Sequence, residues 1–220
     1  MNNKSLTIII TAFAVMMLLF SCRMGTTPAE PPTEAGVVIN GVRWAIANVD
    51  KPGSFAQSPE DAGMFFQWNR RKGWSATEKT VSGWDSSISI STKWEAENDP
   101  CPEGWRLPTE AELHNLLNSG GTWTTRNGVN GRLFGRSPNQ IFLPMVGWRT
   151  HSTGRLDGVE MLSFYWSSTQ GGCNELAISL GVGLNIVDMN GSWRANGHNV
   201  RCVALTIPDI IPSHTASYPK

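Results

Sequence analysis

Histidine, serine, carboxylate and cysteine are the side chains with which this chain could do chemistry, and their spacing argues against most of it. His114, His151, His198 and His214 fall far apart, with neither the His-x-x-x-His nor the His-Glu-x-x-His spacing that sets two imidazoles on one helical face for zinc. Each therefore reads as a surface or loop histidine. Ser167-Ser168-Thr169 lacks the Gly-x-Ser-x-Gly elbow that exposes a nucleophile, and no glycine-rich phosphate loop precedes a helix. Glu110 and Glu112 stand two residues apart in an expected helix, so they point to different faces and do not form an acid and base pair. The expectation is a chain with no catalytic set, no metal and no cofactor.

The cysteines depend on compartment. Lys4, an unbroken apolar run from Leu6 to Phe20 and then Ser21-Cys22 make the three-part layout of a secretory signal peptide. Crossing a bilayer takes about 20 apolar residues, and this shorter run ends in a small residue and a cysteine. Leu19-Phe20-Ser21-Cys22 resembles the bacterial lipobox, in which the cysteine thiol is diacylated and becomes the first mature residue. Residues 1–21 are then a lipoprotein signal peptide, and several acyl chains on Cys22 hold the product firmly on a membrane. Export exposes Cys101, Cys173 and Cys202 to oxidising conditions, so one disulfide and one free thiol are expected; the residues alone leave the pairing open.

Recognition chemistry is more plentiful. Among the ten tryptophans, Trp44, Trp68, Trp105, Trp166 and Trp193 fall in regular elements and are expected in the core. Trp74, Trp84, Trp94 and Trp123 lie in glycine- and serine-rich connections and are freer to face a ligand. The polar, glycine-bounded stretch from Trp148 to Gly158 is the expected variable loop, with Trp148, Arg149, His151, Arg155 and Asp157 as candidate binding residues. Lys and Arg number 18 against 18 Asp and Glu and are interspersed, so nothing is built to hold nucleic acid.

The elements that must carry these residues follow from turn and cap signals. Residues 22–36 are rich in Pro, Thr and Glu and read as a tether; residues 207–220 read as a tail; one folded domain spans 37–206. Asn40-Gly41 between two apolar runs predicts an opening hairpin. Ser58-Pro59-Glu60-Asp61, followed by Met64, Phe65 and Trp68, predicts a first helix ending near Arg70. Thr109-Glu110-Ala111-Glu112 is a capping box for a second, with Leu113, Leu116 and Leu117 on its buried face and Gly120 beyond its end. Short apolar runs then predict strands, with Asn190-Gly191 as a second turn. Helices early and strands late make the fold class α+β.

Three stretches resemble the family called the Fibrobacter succinogenes major paralogous domain, common in exported proteins of Bacteroidetes-like bacteria. They run from Asp61 to Asn69, from Asp99 through Cys101-Pro102-Glu103-Gly104-Trp105 to Thr109, and from Tyr165 to Thr169 with Val200-Arg201-Cys202-Val203 at the end. The resemblance implies a C-type-lectin-like domain: a twisted antiparallel sheet and two helices with long loops, closed by its first and last strands. It also implies that Cys101 and Cys202 form the disulfide. Arg106 to Glu112 and Gly191-Ser192-Trp193 are similar to segments of formylglycine-generating enzymes, but the close cysteine pair that binds copper there is replaced here by Arg194 and Ala195. Cu(I) needs at least two thiolates, and Cys202 alone offers one.

Calcium-dependent lectins of this fold carry Glu-Pro-Asn or Gln-Pro-Asp with Trp-Asn-Asp, and neither occurs; Ser137-Pro138-Asn139-Gln140 lacks the acid. The reading is an exported lipoprotein of the cell envelope, anchored at the outer membrane, whose non-catalytic domain binds a protein or glycan partner as an adhesin or an accessory part of a fimbria. A calcium-independent lectin is the first alternative and a formylglycine-generating-enzyme-like oxidase the second. No run of acids follows Cys22 of the kind that resembles a surface-export signal, so the membrane face stays open.

Overall fold

The computed structural model describes residues 36–206, so the signal peptide, Cys22, the tether, the tail and His214 lie outside the described residues. The opening hairpin forms as its turn dictates. Strand β1 (Gly36–Ile39) pairs antiparallel with β2 (Val42–Ala45), and Asn40 and Gly41 both take positive φ, 48° and 83°. That is the backbone a two-residue type I′ turn requires.

Strands β3 (Phe65–Gln67), β4 (Gly73–Trp74) and β5 (Trp105–Arg106) follow, and then the helix α1 (Glu110–Asn118). The Thr109 side chain accepts from the Glu112 backbone N–H while the Glu112 carboxylate accepts from the Thr109 N–H, which closes the capping box. Glu112 also takes a two-pronged ion pair from Arg106 at 2.8 Å. Partial burial pushes its carboxyl up, but the bonds from Arg106 and Thr109 and the arginine charge outweigh this and hold it below its ordinary value. Leu113 and Leu116 are buried against the sheet, and Gly120 at φ 81° carries the chain out of the helix.

The remaining strands are β6 (Gly121–Arg126), β7 (Val129–Arg136), β8 (Asn139–Pro144), β9 (Val146–Arg149), β10 (Leu156–Val159) and β11 (Leu162–Gln170). After them come β12 (Leu176–Gly183), β13 (Val187–Trp193), β14 (Gly197–His198) and β15 (Val203–Ala204). They form three sheets: β1-β2-β15-β5, β6-β7-β8, and a large one ordered β13-β12-β11-β9-β14-β3-β4 with β10 hydrogen-bonded to β9. Successive residues of β11 serve two cores, because side chains alternate across a strand. Tyr165 packs with Trp44, Leu113, Leu116, Phe134 and Leu180 beneath the helix. Trp166 packs with Trp68, Trp94, Trp105 and the disulfide Cys101–Cys202 on the other side. The class is α+β, as expected, with strands dominating.

Two expected elements are absent. Residues 58–70 make no helix, and α1 is the only α-helix among the described residues. The Ser58 N–H donates to the Asp61 carboxylate at 2.9 Å, closing a tight turn in place of a helical N-terminus. Gly63 then takes φ +66° against the Val49 carbonyl, where a Cβ would lie 2.2 Å from the oxygen. Phe65, Phe66, Gln67 and Trp68 are all buried, because β3 lies between β14 and β4 and is covered on both faces. Asn190-Gly191 is no turn either: it sits inside β13, paired with Ser179 and Ile178, and the chain reverses at residues 184–186.

Three arginines, Arg149, Arg194 and Arg201, are almost wholly buried, at 0 %, 1 % and 1 % exposure, and bond to oxygens other than carboxylates. Arg149 donates to the carbonyls of Ser75, Glu78 and Gly154. Arg194 donates to those of Ser89, Ser91 and Leu176 and lies 4.3 Å over the Trp68 ring. The long connection between β4 and β5 contains no strand beyond an isolated bridge, and Arg149 and Arg194 are among the side chains that hold it. A planar guanidinium with five donors suits this work, since it satisfies several converging carbonyls at once.

Candidate recognition surface

Three segments distant in sequence meet at the surface, each contributing an aromatic side chain. The first is residues 150–155, the tip of the β9–β10 hairpin. The second is Trp84 in the long connection, and the third is Trp193 at the end of β13. The Trp84 indole N–H donates to the His151 carbonyl at 2.8 Å. Its ring rests on Gly154, where a Cβ would come within 2.4 Å of Cδ2, so the tip accepts the indole only because glycine stands there. The His151 ring in turn stacks on Trp193, with centroids 5.5 Å apart and planes at 27°. Trp193 is 46 % exposed.

Arg149 holds this arrangement from beneath, since one guanidinium ties the hairpin tip at Gly154 to the connection at Ser75 and Glu78. Around the ring pair the groups are polar. Arg155 and Asp157 form an exposed ion pair at 2.9 Å, and the Thr150 and Thr153 hydroxyls are 3.0 Å apart. On the other side, Leu176 pairs with Trp193 and the Arg194 N–H donates to the Glu175 carbonyl, so the exposed residues Asn174 and Glu175 adjoin the end of β13.

The expected site residues are thus partly reassigned. His151 and Arg155 are exposed, Asp157 is half-buried, and all three belong to this surface. Trp148 is half-buried, edge-on to Phe164 at 5.4 Å. Arg149 is a buried clasp and presents nothing to solvent. Trp193, expected in the core, is outside it. Trp74 and Trp94, expected to be freer, are buried at 5 % and 8 % exposure. Ser192, beside Trp193, faces inward and bonds Ser179 on β12 at 2.8 Å, so strand alternation turns the tryptophan away from the core, an orientation that the packed strands set. Cys173 is an exposed free thiol in the loop before β12. Among the described residues, no group of three or more His, Cys, Asp or Glu side chains gathers where a metal ion could be held.

His198 is a further correction. It is fully buried, sandwiched between Trp166 at 4.0 Å and Phe164 at 4.9 Å, and neither ring nitrogen has a hydrogen-bond partner. Burial holds its imidazole well below the ordinary 6.5. The unfolded chain takes up this proton near pH 6.5 and the folded chain does not, so stability present at neutral pH drains away as pH falls below that value. The expected slope from this residue is about 1.4 kcal/mol per pH unit until the folded value is reached. Urea titrations between pH 7.5 and pH 5.5 on the wild type and His198→Phe measure it; equal slopes in both proteins would contradict the assignment.

Comparison with known proteins assigns no family: no family model matches the chain, and no curated protein or solved structure gives a significant match.

Proposed function

We propose that this chain is an exported, lipid-anchored binding protein of the cell envelope whose single domain is C-type-lectin-like and belongs with the Fibrobacter succinogenes major paralogous domain family. It serves in adhesion or as an accessory part of a surface assembly and carries out no reaction. The observation that carries the reading is the convergence of Trp84, His151 and Trp193, from three distant segments, into one fixed surface cluster. A rigid scaffold with such a cluster on its loops is the usual design of a recognition module. Three further features agree with it. The last strand β15 pairs with β2, the Cys101–Cys202 bridge ties that last segment to the turn before β5, and the most deeply buried cations are engaged by backbone carbonyls and an amide rather than poised at a cavity.

The full chain, purified with its amino terminus intact, should bind saturably to isolated bacterial envelopes and be displaced by unlabelled wild type. A chain carrying His151→Ala and Trp193→Ala should fail to compete. Equal competition by that variant, or binding that never saturates, would sink the reading.

A further inference from the structure

Two neighbouring turns carry an apolar cluster apart from the aromatic site, and its reading rests on the lipid anchor proposed above. We infer that these turns dock on the phospholipid bilayer that holds the anchor, so that the domain lies against the membrane instead of hanging free at the end of its tether.

The cluster comes from the β10–β11 and β12–β13 turns, which adjoin where Leu162 pairs with Gly183. Met161, Leu184 and Ile186, exposed at 73 %, 52 % and 59 %, line one groove with half-buried Trp123. Val159 at the end of β10 is 48 % exposed. No charge interrupts Leu184-Asn185-Ile186. Aliphatic side chains gathered at turn tips, where polar residues usually stand, mark a contact surface.

The backbone at these tips is suited to a medium poor in water. The Arg132 guanidinium donates to the carbonyls of Gly183 at 3.0 Å, Leu184 at 2.6 Å and Gly121 at 2.9 Å, and the Ile186 carbonyl accepts the Gly183 N–H at 2.7 Å. In the other turn the Glu160 N–H donates to the Met145 carbonyl and the Met161 N–H to that of Gly158. Groups already bonded within the protein need no water, so lipid can replace it at little cost. Arg132 also sets a half-buried cation behind the apolar tips, where the headgroup phosphates lie once the tips enter the acyl layer. The Trp123 indole suits the same level. Exposed Glu160 lines the groove as well, which limits entry to the headgroups and the upper acyl layer.

Reach and size agree with this occupant. The 14 residues from Cys22 to Ala35 can span at most about 50 Å, and a domain of this length is about 40 Å across, so the tether lets this face meet the membrane. A stable protein interface uses about 20–30 residues a side, far more than the cluster provides. A domain held near the surface needs only a weak second attachment, because the tether keeps its effective concentration high.

The full acylated chain on vesicles of phosphatidylethanolamine and phosphatidylglycerol with brominated acyl chains tests the docking, since bromine quenches only indoles close to it. Part of the wild-type emission should be quenched, and Trp123→Phe should remove that part. Leu184→Asp combined with Ile186→Asp should abolish it while the chain still floats with the vesicles and keeps the wild-type melting temperature. Leu184→Met combined with Ile186→Leu should retain it. Flotation without quenching, or equal quenching of the aspartate variant, would overturn the docking and leave the anchored binding protein standing. A wild-type chain that does not float overturns both. A dimer in detergent that the aspartate variant abolishes would assign the cluster to a second copy and likewise overturn the inference.

Discussion

Replacing Cys101 and Cys202 together with alanine is expected to produce a large loss of stability. The bridge spans 101 residues of sequence. Chain-entropy arguments put the stabilisation from closing a loop of that size at about 4.7 kcal/mol, and residual structure in the unfolded chain brings the expected loss to about 2–4 kcal/mol. The bridge also anchors a local arrangement. The Asp99 carboxylate accepts the Cys101 N–H at 2.8 Å and the Leu107 N–H at 3.1 Å. Burial pushes that carboxyl above its ordinary value despite these bonds, so the turn around Cys101 already sets a charged group against its own desolvation. Guanidinium unfolding of wild type and double variant, each with and without reductant, tests this. Reductant should lower the wild-type midpoint and leave the variant unmoved; a wild-type midpoint insensitive to complete reduction would contradict the claim.

The second large effect belongs to Arg201. Its guanidinium donates to the carbonyls of Ile46 at 2.7 Å and Phe142 at 3.0 Å, to that of Ala45 at 3.2 Å, and twice to Asn48 Oδ1 at 3.0 and 2.8 Å. It therefore joins the end of β2, the middle of β8 and the last segment of the domain at one buried point. Burial pulls it down to about 10, with the Tyr165 hydroxyl opposing, so it stays charged at neutral pH. Arg201→Met relieves the buried charge but orphans four acceptors. At about 1 kcal/mol or more for each unsatisfied group, the net expectation is a loss of about 3 kcal/mol. Arg201→Lys should fall between, because an ammonium lacks the planar fork that reaches all of these oxygens. Urea titration with an unchanged slope and a lowered midpoint is the expected record, and an Arg201→Met midpoint equal to wild type would refute it.

These arginines also mark where reading the residues in order stops working. An arginine between a valine and a cysteine carries no local sign of burial, and by type it belongs at the surface. What buries Arg149, Arg194 and Arg201 is a set of carbonyls contributed by segments up to 156 residues away. His198 is similar: its place between Phe164 and Trp166 depends on β14 lying beside β3 and β9. The first expected helix failed for a related reason. Apolar spacing around Met64 suits either period, and burial of β3 on both faces decided it.

The elements that did follow from the residues are those whose determinants are adjacent in the chain. Asn40-Gly41 sets its hairpin through backbone sterics, and Thr109 with Glu112 starts the helix through bonds spanning three residues. The stretch from Trp148 to Gly158 read as a loop, which brought His151, Arg155 and Asp157 into consideration; only residues 150–155 form one, and its ends are paired in β9 and β10. The partners of that loop were not legible. Whether Trp193 faced the core or His151, and whether Trp84 rather than Trp74 reached the hairpin tip, turned on how β13 and the long connection settle against β9 and β10. Local steric and hydrogen-bonding preferences act over a few residues and can be read there. The recognition surface is made by burial and by bonds between distant segments, and those energies exist only once the chain has packed.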